Sequence, residues 1–358
     1  MIIFVILFDF QVIFKKSELK IFFTFVTRSF KKLLNYQNSN NMQNIPSVDL
    51  RDFLSDDPKR KQKFVNEIGT AYEEIGFVAL KGHFLNDELV ENLYTEVRNF
   101  FSLPLEVKEK YEIPGIGGQR GYISFGKEHA KGRSAGDLKE FWHFGQYVSE
   151  GSKYAGEYPA NVEVSELANF NTVGKEAYQM LEKTGVYVLR ALALFIGLDE
   201  FYFDQYVKDG NSILRPIHYP PITDEPKDGA VRAAAHGDIN LITLLMGAQG
   251  KGLQVQNHDG EWIDAMAQPD ELMINVGDML SRHTNNRLKS TIHQVVNPPR
   301  ELWGTSRYSI PFFMHPVSDM KLNCLENCID DQHPKLFDDI TAGDYLYERL
   351  VDLGLIKK

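Results

Sequence analysis

The chain has 358 residues, 43% of them hydrophobic and 25% charged, which suits one large globular domain or two ordinary ones. Its net charge of −10 argues against nucleic acid as a partner, since a polyanion would be repelled. Two cysteines, Cys324 and Cys328, are too few for a disulfide framework and lack the second pair or nearby histidines of a zinc site, so a reducing, cytoplasmic compartment is expected.

Residues 1–41 differ from the rest, carrying six basic and two acidic residues, about +4 against about −14 for the remainder. Their apolar start, Met1 to Leu7, is interrupted by Asp9, Gln11 and Lys15-Lys16, well short of the roughly 20 residues of a spanning helix. No basic region precedes it and no A-x-A-like cleavage site follows, so it does not read as a secretory signal. Ile21–Leu34 could lie on a surface as a basic amphipathic helix, but no stable membrane association is expected.

Ile45 to Leu50 predicts a short strand, followed by a helix through Lys63 to Ile75. Gly76 to Leu80 predicts a buried strand, and Lys81-Gly-His83 a turn, so His83 reads as structural. A helix should run from about Asp87 to Ser102. Pro114 to Gly126 holds five glycines but no G-x-G-x-x-G between a strand and a helix, so a mobile loop beside an active site fits better than a phosphate cradle. Val162 to Ile196 predicts one long scaffold helix, broken once near Gly174 or Gly185. Leu167, Phe170, Val173, Ala177, Met180, Leu181, Val188 and Leu192 give it a single apolar stripe, without the sustained heptad of a coiled coil.

After Asn211 the texture turns to short β-rich runs: Ile213–Tyr219, Ala234–Leu245, Leu253–Gln256, Glu271–Val276, Ser290–Val296 and Tyr308–Phe313. Asp259-Gly260 marks a hairpin turn. Many short strands with closing turns argue for a barrel or jelly roll. Thr341–Val351 predicts a C-terminal amphipathic helix.

Chemistry concentrates in this second half. In His236-Gly237-Asp238, strand alternation would point imidazole and carboxylate to one face, two thirds of a site for a divalent metal. A third corner must come from another strand, and His293 lies in the next strand-like segment with a histidine; His283 is its nearest rival. Two imidazoles and one carboxylate leaving open positions are typical of non-haem Fe(II) oxygenases. Arg307 and Ser309 again share one face, fourteen residues further on. Arg232, His218, His258, His283 and His315 read as surface or structural residues, and Asp278 as a turn residue.

His236-Gly-Asp238, Gly252-Leu-Gln-Val255, Asn275-Val-Gly-Asp278, Thr284 to His293 and Arg307-Tyr-Ser309 follow one another in an order and spacing that resembles the catalytic core of the 2-oxoglutarate and Fe(II)-dependent dioxygenases. The similar stretch runs from Arg215 to Pro316, and the branch is the one that includes isopenicillin N synthase. The resemblance implies a double-stranded β-helix, a jelly-roll barrel with flanking helices and an N-terminal α/β region. It selects His293 over His283 and implies Fe(II) held by His236, Asp238 and His293. It further implies 2-oxoglutarate held at its far carboxylate by Arg307 and Ser309, with Tyr219 also reaching it, and O2 as second co-substrate. The implied reaction oxidises a small-molecule substrate, by hydroxylation or desaturation, and releases succinate and CO2. An oxidase that needs no 2-oxoglutarate, of the isopenicillin N synthase or aminocyclopropane carboxylate oxidase type, is the alternative, and a non-catalytic binding barrel a weaker one.

By the same resemblance, 42–150 is the N-terminal region, 151–210 scaffold helices, 211–320 the barrel core and 321–358 a C-terminal helical segment. Arg120, Tyr122 and Phe141-Trp-His-Phe144 approach the substrate mouth, or else simply pack there, and carry no catalytic role. Similar sequence begins directly after Met42, so residues 1–41 are expected to be an extension that is not native or not ordered. Two departures stand out, Ile217 where asparagine is usual and Gln294 where arginine is usual.

Overall fold

The computed structural model describes residues 45–116, 118–127, 138–223, 225, 231–246 and 252–352. The expectation for residues 1–41 lies outside them. Mainly β, the fold has two sheets with helices packed against one of them. Strand β1 (Ser47–Asp49) runs parallel to β2 (Phe77–Lys81), and β2 pairs antiparallel with β11 (Leu272–Val276). The sheet continues through β8 (Ile242–Met246), β13 (Arg307–Met314), β5 (Ile213–Leu214), β4 (Glu140–Gly145) and β3 (Gly121–Ile123), with β6 (Ile217–Tyr219) beside β13 and β4, nine strands in all. The second sheet has four strands in the order β10 (Trp262–Asp264), β9 (Leu253–Gln256), β12 (His293–Val295) and β7 (Ala233–His236).

Alternation along β13 explains how the layers assemble. Ile310, Phe312 and Met314 point into the main core, under helix α3 (Ala168–Phe195), where Phe312 meets Tyr178 edge-on at 5.0 Å between ring centroids. Helices α1 (Pro58–Glu74) and α2 (Asp87–Phe101) complete that layer. Each begins where a side chain caps it: Asp57 accepts from Lys59 N–H, and Asn86 accepts from Leu89 N–H. A smaller apolar cluster lies between the sheets, joining Phe77 and Met273 of the large sheet to Ala233, Leu253, Val255 and Val295 of the small one. The two sheets therefore face each other.

Three expectations are corrected. Ala234–Leu245 is not one strand: β7 ends at His236 in the four-stranded sheet and β8 begins at Ile242 in the nine-stranded one. The run Ile213–Tyr219 likewise divides into β5 and β6. Helix α3 starts at Ala168 rather than near Val162 and passes unbroken through Gly174 and Gly185. These glycines are where neighbours press closest. A Cβ at 174 would stand 2.3 Å from Phe144 Cζ, and one at 185 would stand 2.4 Å from Met314 Sδ. Close packing, not helix breaking, puts glycine there. The Asp259-Gly260 turn joins β9 to β10 as expected, and the last helix, α5, runs Ala342–Asp352 after the short α4 (Asp278–His283).

Candidate metal centre

His236 and His293 are register partners on the antiparallel strands β7 and β12, with ring centroids 4.5 Å apart. Asp238 is not on a strand. It lies in the crossover that leaves the small sheet for β8, so the connection aims its carboxylate, where strand alternation was expected to do so. One ligand atom from each of the three residues lies within 4.8 Å of the others. Asp238 Oδ1 is 3.9 Å from His236 Nε2 and 3.8 Å from His293 Nε2.

Each of these atoms is left available by what its residue does elsewhere. His236 Nδ1 faces the Ala234 carbonyl at 2.6 Å and His293 Nδ1 faces that of Thr291 at 3.2 Å. A carbonyl can only accept, so each Nδ1 carries the proton and each Nε2 keeps its lone pair for a metal. The second oxygen of Asp238, Oδ2, accepts from Thr243 Oγ1 at 2.6 Å and Asn275 Nδ2 at 2.8 Å, turning Oδ1 toward the imidazoles. The Asp238 carbonyl accepts from Asp278 N–H at 2.7 Å, at the start of α4. The preceding Gly277 allows that approach, since a Cβ there would stand 2.2 Å from the Asn240 carbonyl oxygen. Thr243 and the anchoring role of Asn275 were not foreseen. Phe77 of β2 adds an edge-on ring contact to His293 at 5.6 Å.

Electrostatics agree with a site kept ready for a cation. Burial alone would raise the Asp238 carboxyl, but the two imidazoles, Asn275 and Thr243 outweigh it and hold the group below its ordinary value. Crowding by protein atoms, and then His293, pushes the His236 imidazole down to about 4. Its ring keeps 45% of its surface open at the mouth, where water softens that effect. Two Nε2 lone pairs beside a carboxylate held below its ordinary value are a ligand set for a divalent metal.

Arg307 of β13 stands opposite Tyr219 of β6 in the ladder, and Ser309 opposite Ile217. The Arg307 Cζ lies 5.1 Å from the Tyr219 ring centroid. Arg307 is 2% exposed, and its Nε and Nη1 have no hydrogen-bond partner. A buried guanidinium without an acceptor is costly, which marks the place of an anion.

The remaining candidates resolve individually. His283 is a core residue, its Nδ1 donating to the Asn323 carbonyl and its Nε2 facing Tyr202 Oη. His218 sits between Glu140 and Ser306. Glu140 in turn takes Lys108 and Tyr122, forming a satisfied buried network. Asp278 opens α4 rather than sitting in a turn, and its carboxylate accepts from Ser290 and Tyr345. His258 is exposed, and His83 lies between β2 and α2. Arg120 is fully buried and donates to Gln119 and Asn211. The glycine-rich stretch is tied to β4, because His143 Nδ1 donates to the Gly118 carbonyl at 2.7 Å; Gly117 lies outside the described residues. Of the two departures, Ile217 joins an apolar cluster with Ile123, Phe141 and Tyr219, and Gln294 pairs with Gln254 on the outer side of β12.

Comparison with known proteins bears on this geometry. Residues 210–316 match the model of the 2OG-Fe(II) oxygenase superfamily, and residues 45–166 that of the non-haem dioxygenase in morphine synthesis N-terminal family. The 2-oxoglutarate-Fe(II) type oxidoreductase hxnY of Emericella nidulans is 30% identical over 313 residues, 84% of this chain and 87% of that protein. The chain is a 2-oxoglutarate- and Fe(II)-dependent oxygenase. A 2OG-Fe(II) oxygenase family protein from Caulobacter crescentus superimposes with a TM-score of 0.78 and 41% identity, covering 86% of this chain and 99% of that one. A full-length Neurospora crassa protein solved in complex with alpha-KG follows at 0.76 and 30% identity, covering 86% and 95%. As an oxygenase of this family it uses Fe(II), 2-oxoglutarate and O2. The alternatives of a 2-oxoglutarate-independent oxidase and a non-catalytic barrel lose to it. No described helix is long and apolar enough to cross a membrane.

Proposed function

We propose that His236 Nε2, Asp238 Oδ1 and His293 Nε2 hold the Fe(II), and that Arg307, Ser309 and Tyr219 receive the distal carboxylate of 2-oxoglutarate. The observation that carries this reading is the conjunction of three available ligand atoms with a buried, unsatisfied guanidinium on the strand next to β8. When bound, the metal and co-substrate supply the oxidising power, releasing succinate and CO2. The chain's own residues do the rest. Thr243 and Asn275 fix the Asp238 carboxylate in one orientation. The two backbone carbonyls facing the Nδ1 atoms fix the imidazole tautomers. Arg307 supplies a planar fork of donors that suits a carboxylate, and Ser309 Oγ a further donor.

The strand order of the two sheets also supports closure into a jelly-roll barrel: β6, β13, β8 and β11 on one side, β7, β12, β9 and β10 on the other. The substrate mouth belongs to the half-buried Arg215, which lies over the rings of Phe141 and Phe313 at 4.5 and 5.0 Å. With Ile123 and Ile217 beside Phe141, this wall suits a small, partly apolar molecule. The Neurospora crassa protein is also described in complex with alpha-KG and thymine, and a 30% identical relative in Petromyces alliaceus is a proline hydroxylase, both small substrates. A cytoplasmic setting belongs to the same reading, since it keeps Fe(II) reduced and leaves the buried Cys324 and Cys328 as thiols.

The test is anaerobic addition of 2-oxoglutarate to the Fe(II) protein, followed by a screen of small molecules that perturb the resulting charge-transfer absorption. The expected outcome is a band that requires both components, and succinate release once O2 is admitted. No band in the wild-type protein, or a band retained in His293→Ala, would overturn the assignment.

A further inference from the structure

Arg232 was expected to be a surface or structural residue. It is 3% exposed and lies just ahead of β7, four residues before His236. Its Cζ lies 5.7 Å from the Tyr219 ring centroid, the same ring that Arg307 approaches at 5.1 Å. Two guanidiniums, one on β13 and one from the segment that leads into β7, thus converge on one tyrosine. Neither has a carboxylate partner among the described residues. Arg232 keeps a single long contact, Nη2 to the Thr305 carbonyl at 3.4 Å, and its Nε has none. Burial, and after it the charge of Arg307, pulls the Arg232 guanidinium below its ordinary value. A purely structural buried arginine would spend most of its donors on carbonyls or a carboxylate, and this one has only the long contact to Thr305. Two buried, mutually repelling cations with free donors are stabilised together by one anion placed between them.

We infer that Arg232 and Arg307 form a two-arginine clamp on the distal carboxylate of 2-oxoglutarate, with Arg232 the second binding residue. The inference rests on the reading of Arg307 above. Arg307 alone would recognise a carboxylate from one side. The pair encloses it from two sides and ties the segment entering β7 to β13 when the co-substrate is present.

The experiment uses the full chain loaded with Mn(II), which binds without turnover, and calorimetric titration with 2-oxoglutarate or 2-oxopentanoate. The second compound has the same carbon chain with a methyl group where the distal carboxylate stands. Arg232→Gln should weaken 2-oxoglutarate about 10- to 100-fold, as expected for a hydrogen bond to a charged group. Arg232→Lys should recover part of that loss, because it keeps the charge without the fork. Neither variant should change the affinity for 2-oxopentanoate or for Mn(II). Wild-type affinity for 2-oxoglutarate in Arg232→Gln would overturn the clamp, and so would equal weakening of both compounds, which would mean that Arg232 only supports the site. If Arg307→Gln also leaves 2-oxoglutarate binding unchanged, the parent reading of Arg307 falls with it. Melting temperatures separate these outcomes from misfolding, and the lysine variant covers the case in which glutamine is not tolerated.

Discussion

His293 stands directly across from His236 on the neighbouring antiparallel strand, so one cross-strand pair supplies two of the three proposed metal ligands. Such a pair needs no loop to bring it together, and the backbone ladder holds its spacing. The centre should therefore survive in the fold when one ligand is removed.

That gives the first expectation. His293→Ala should abolish measurable Fe(II) or Mn(II) binding while the melting temperature of the metal-free protein stays within a few degrees. Calorimetry and thermal unfolding read the two quantities separately. Metal binding retained in His293→Ala but lost in His283→Ala would move the third ligand to His283.

A second expectation concerns the groups behind Asp238. Asn275→Ala and Thr243→Val each remove one donor to Oδ2 and free the carboxylate to rotate. Loss of such a partner typically weakens metal binding about 10- to 100-fold. The measurement is metal affinity in the single and double variants. Affinities unchanged in the double variant would show that the carboxylate is oriented by its crossover alone.

Arg307 carries the third. Truncating one partner of a buried charge pair costs about 2–5 kcal/mol, so Arg307→Ala should raise the 2-oxoglutarate requirement roughly 30-fold or more while metal affinity stays near normal. Ser309→Ala should cost less, about 1.5–3 kcal/mol. Succinate release measured against 2-oxoglutarate concentration decides the matter, and equal requirements in wild type and Arg307→Ala would refute it.

The fourth is a pH dependence of stability to which His283 contributes. Burial pushes its imidazole down to about 4, with the Asn323 carbonyl opposing. Its unfolded value is near 6.5, so below that pH the unfolded chain takes up a proton that the native state refuses. The stability present above about pH 6.5 is therefore lost progressively as pH falls toward 4, by up to about 3 kcal/mol for this group. Urea unfolding at pH 7.5 and pH 5 should show the loss in the wild type, and His283→Gln should flatten it. An unchanged slope in that variant would assign the effect to other groups.

Packing supplies the last. Gly185→Ala puts a methyl group against Met314 and Leu244, and overpacking of this kind costs about 1–3 kcal/mol. Chemical denaturation should show the loss, and full recovery in Gly185→Ala with Met314→Ala would identify Met314 as the neighbour in the way.

The motif residues were legible because the chemistry fixes their types. Two imidazoles, a carboxylate and an Arg-x-Ser at family spacing were readable without knowing which strand pairs with which. The crossover at Gly237–Leu241 was not, because the apolar run from Ile239 to Leu245 reads as a continuation of the strand before it. Alternation assigned Asp238 to the right neighbourhood through the wrong mechanism. Asn275 reaches Asp238 across 37 residues, and Thr243 reaches it from only five residues away because the chain turns between them, a turn the apolar run conceals. Gly174 and Gly185 looked like breaks because their reason is tertiary: Phe144 and Met314 need the room. Arg232 had no readable cue, because it lies ahead of β7 and its approach to Tyr219 is tertiary.

The pairing of β2 with β11, and the contact of Phe77 with His293, have a consequence for how such enzymes can be recombined. The N-terminal stretch matched over 45–166 is not a detachable cassette laid beside the stretch matched over 210–316. It contributes four strands, β1 to β4, to the nine-stranded sheet and a ring to the flank of a proposed ligand. A chimera that joins the first half of one relative to the second half of another therefore inherits a hybrid metal pocket as well as a hybrid substrate entrance. Such grafts should shift metal retention and co-substrate demand along with selectivity, even where every residue of the catalytic motifs comes from a single parent.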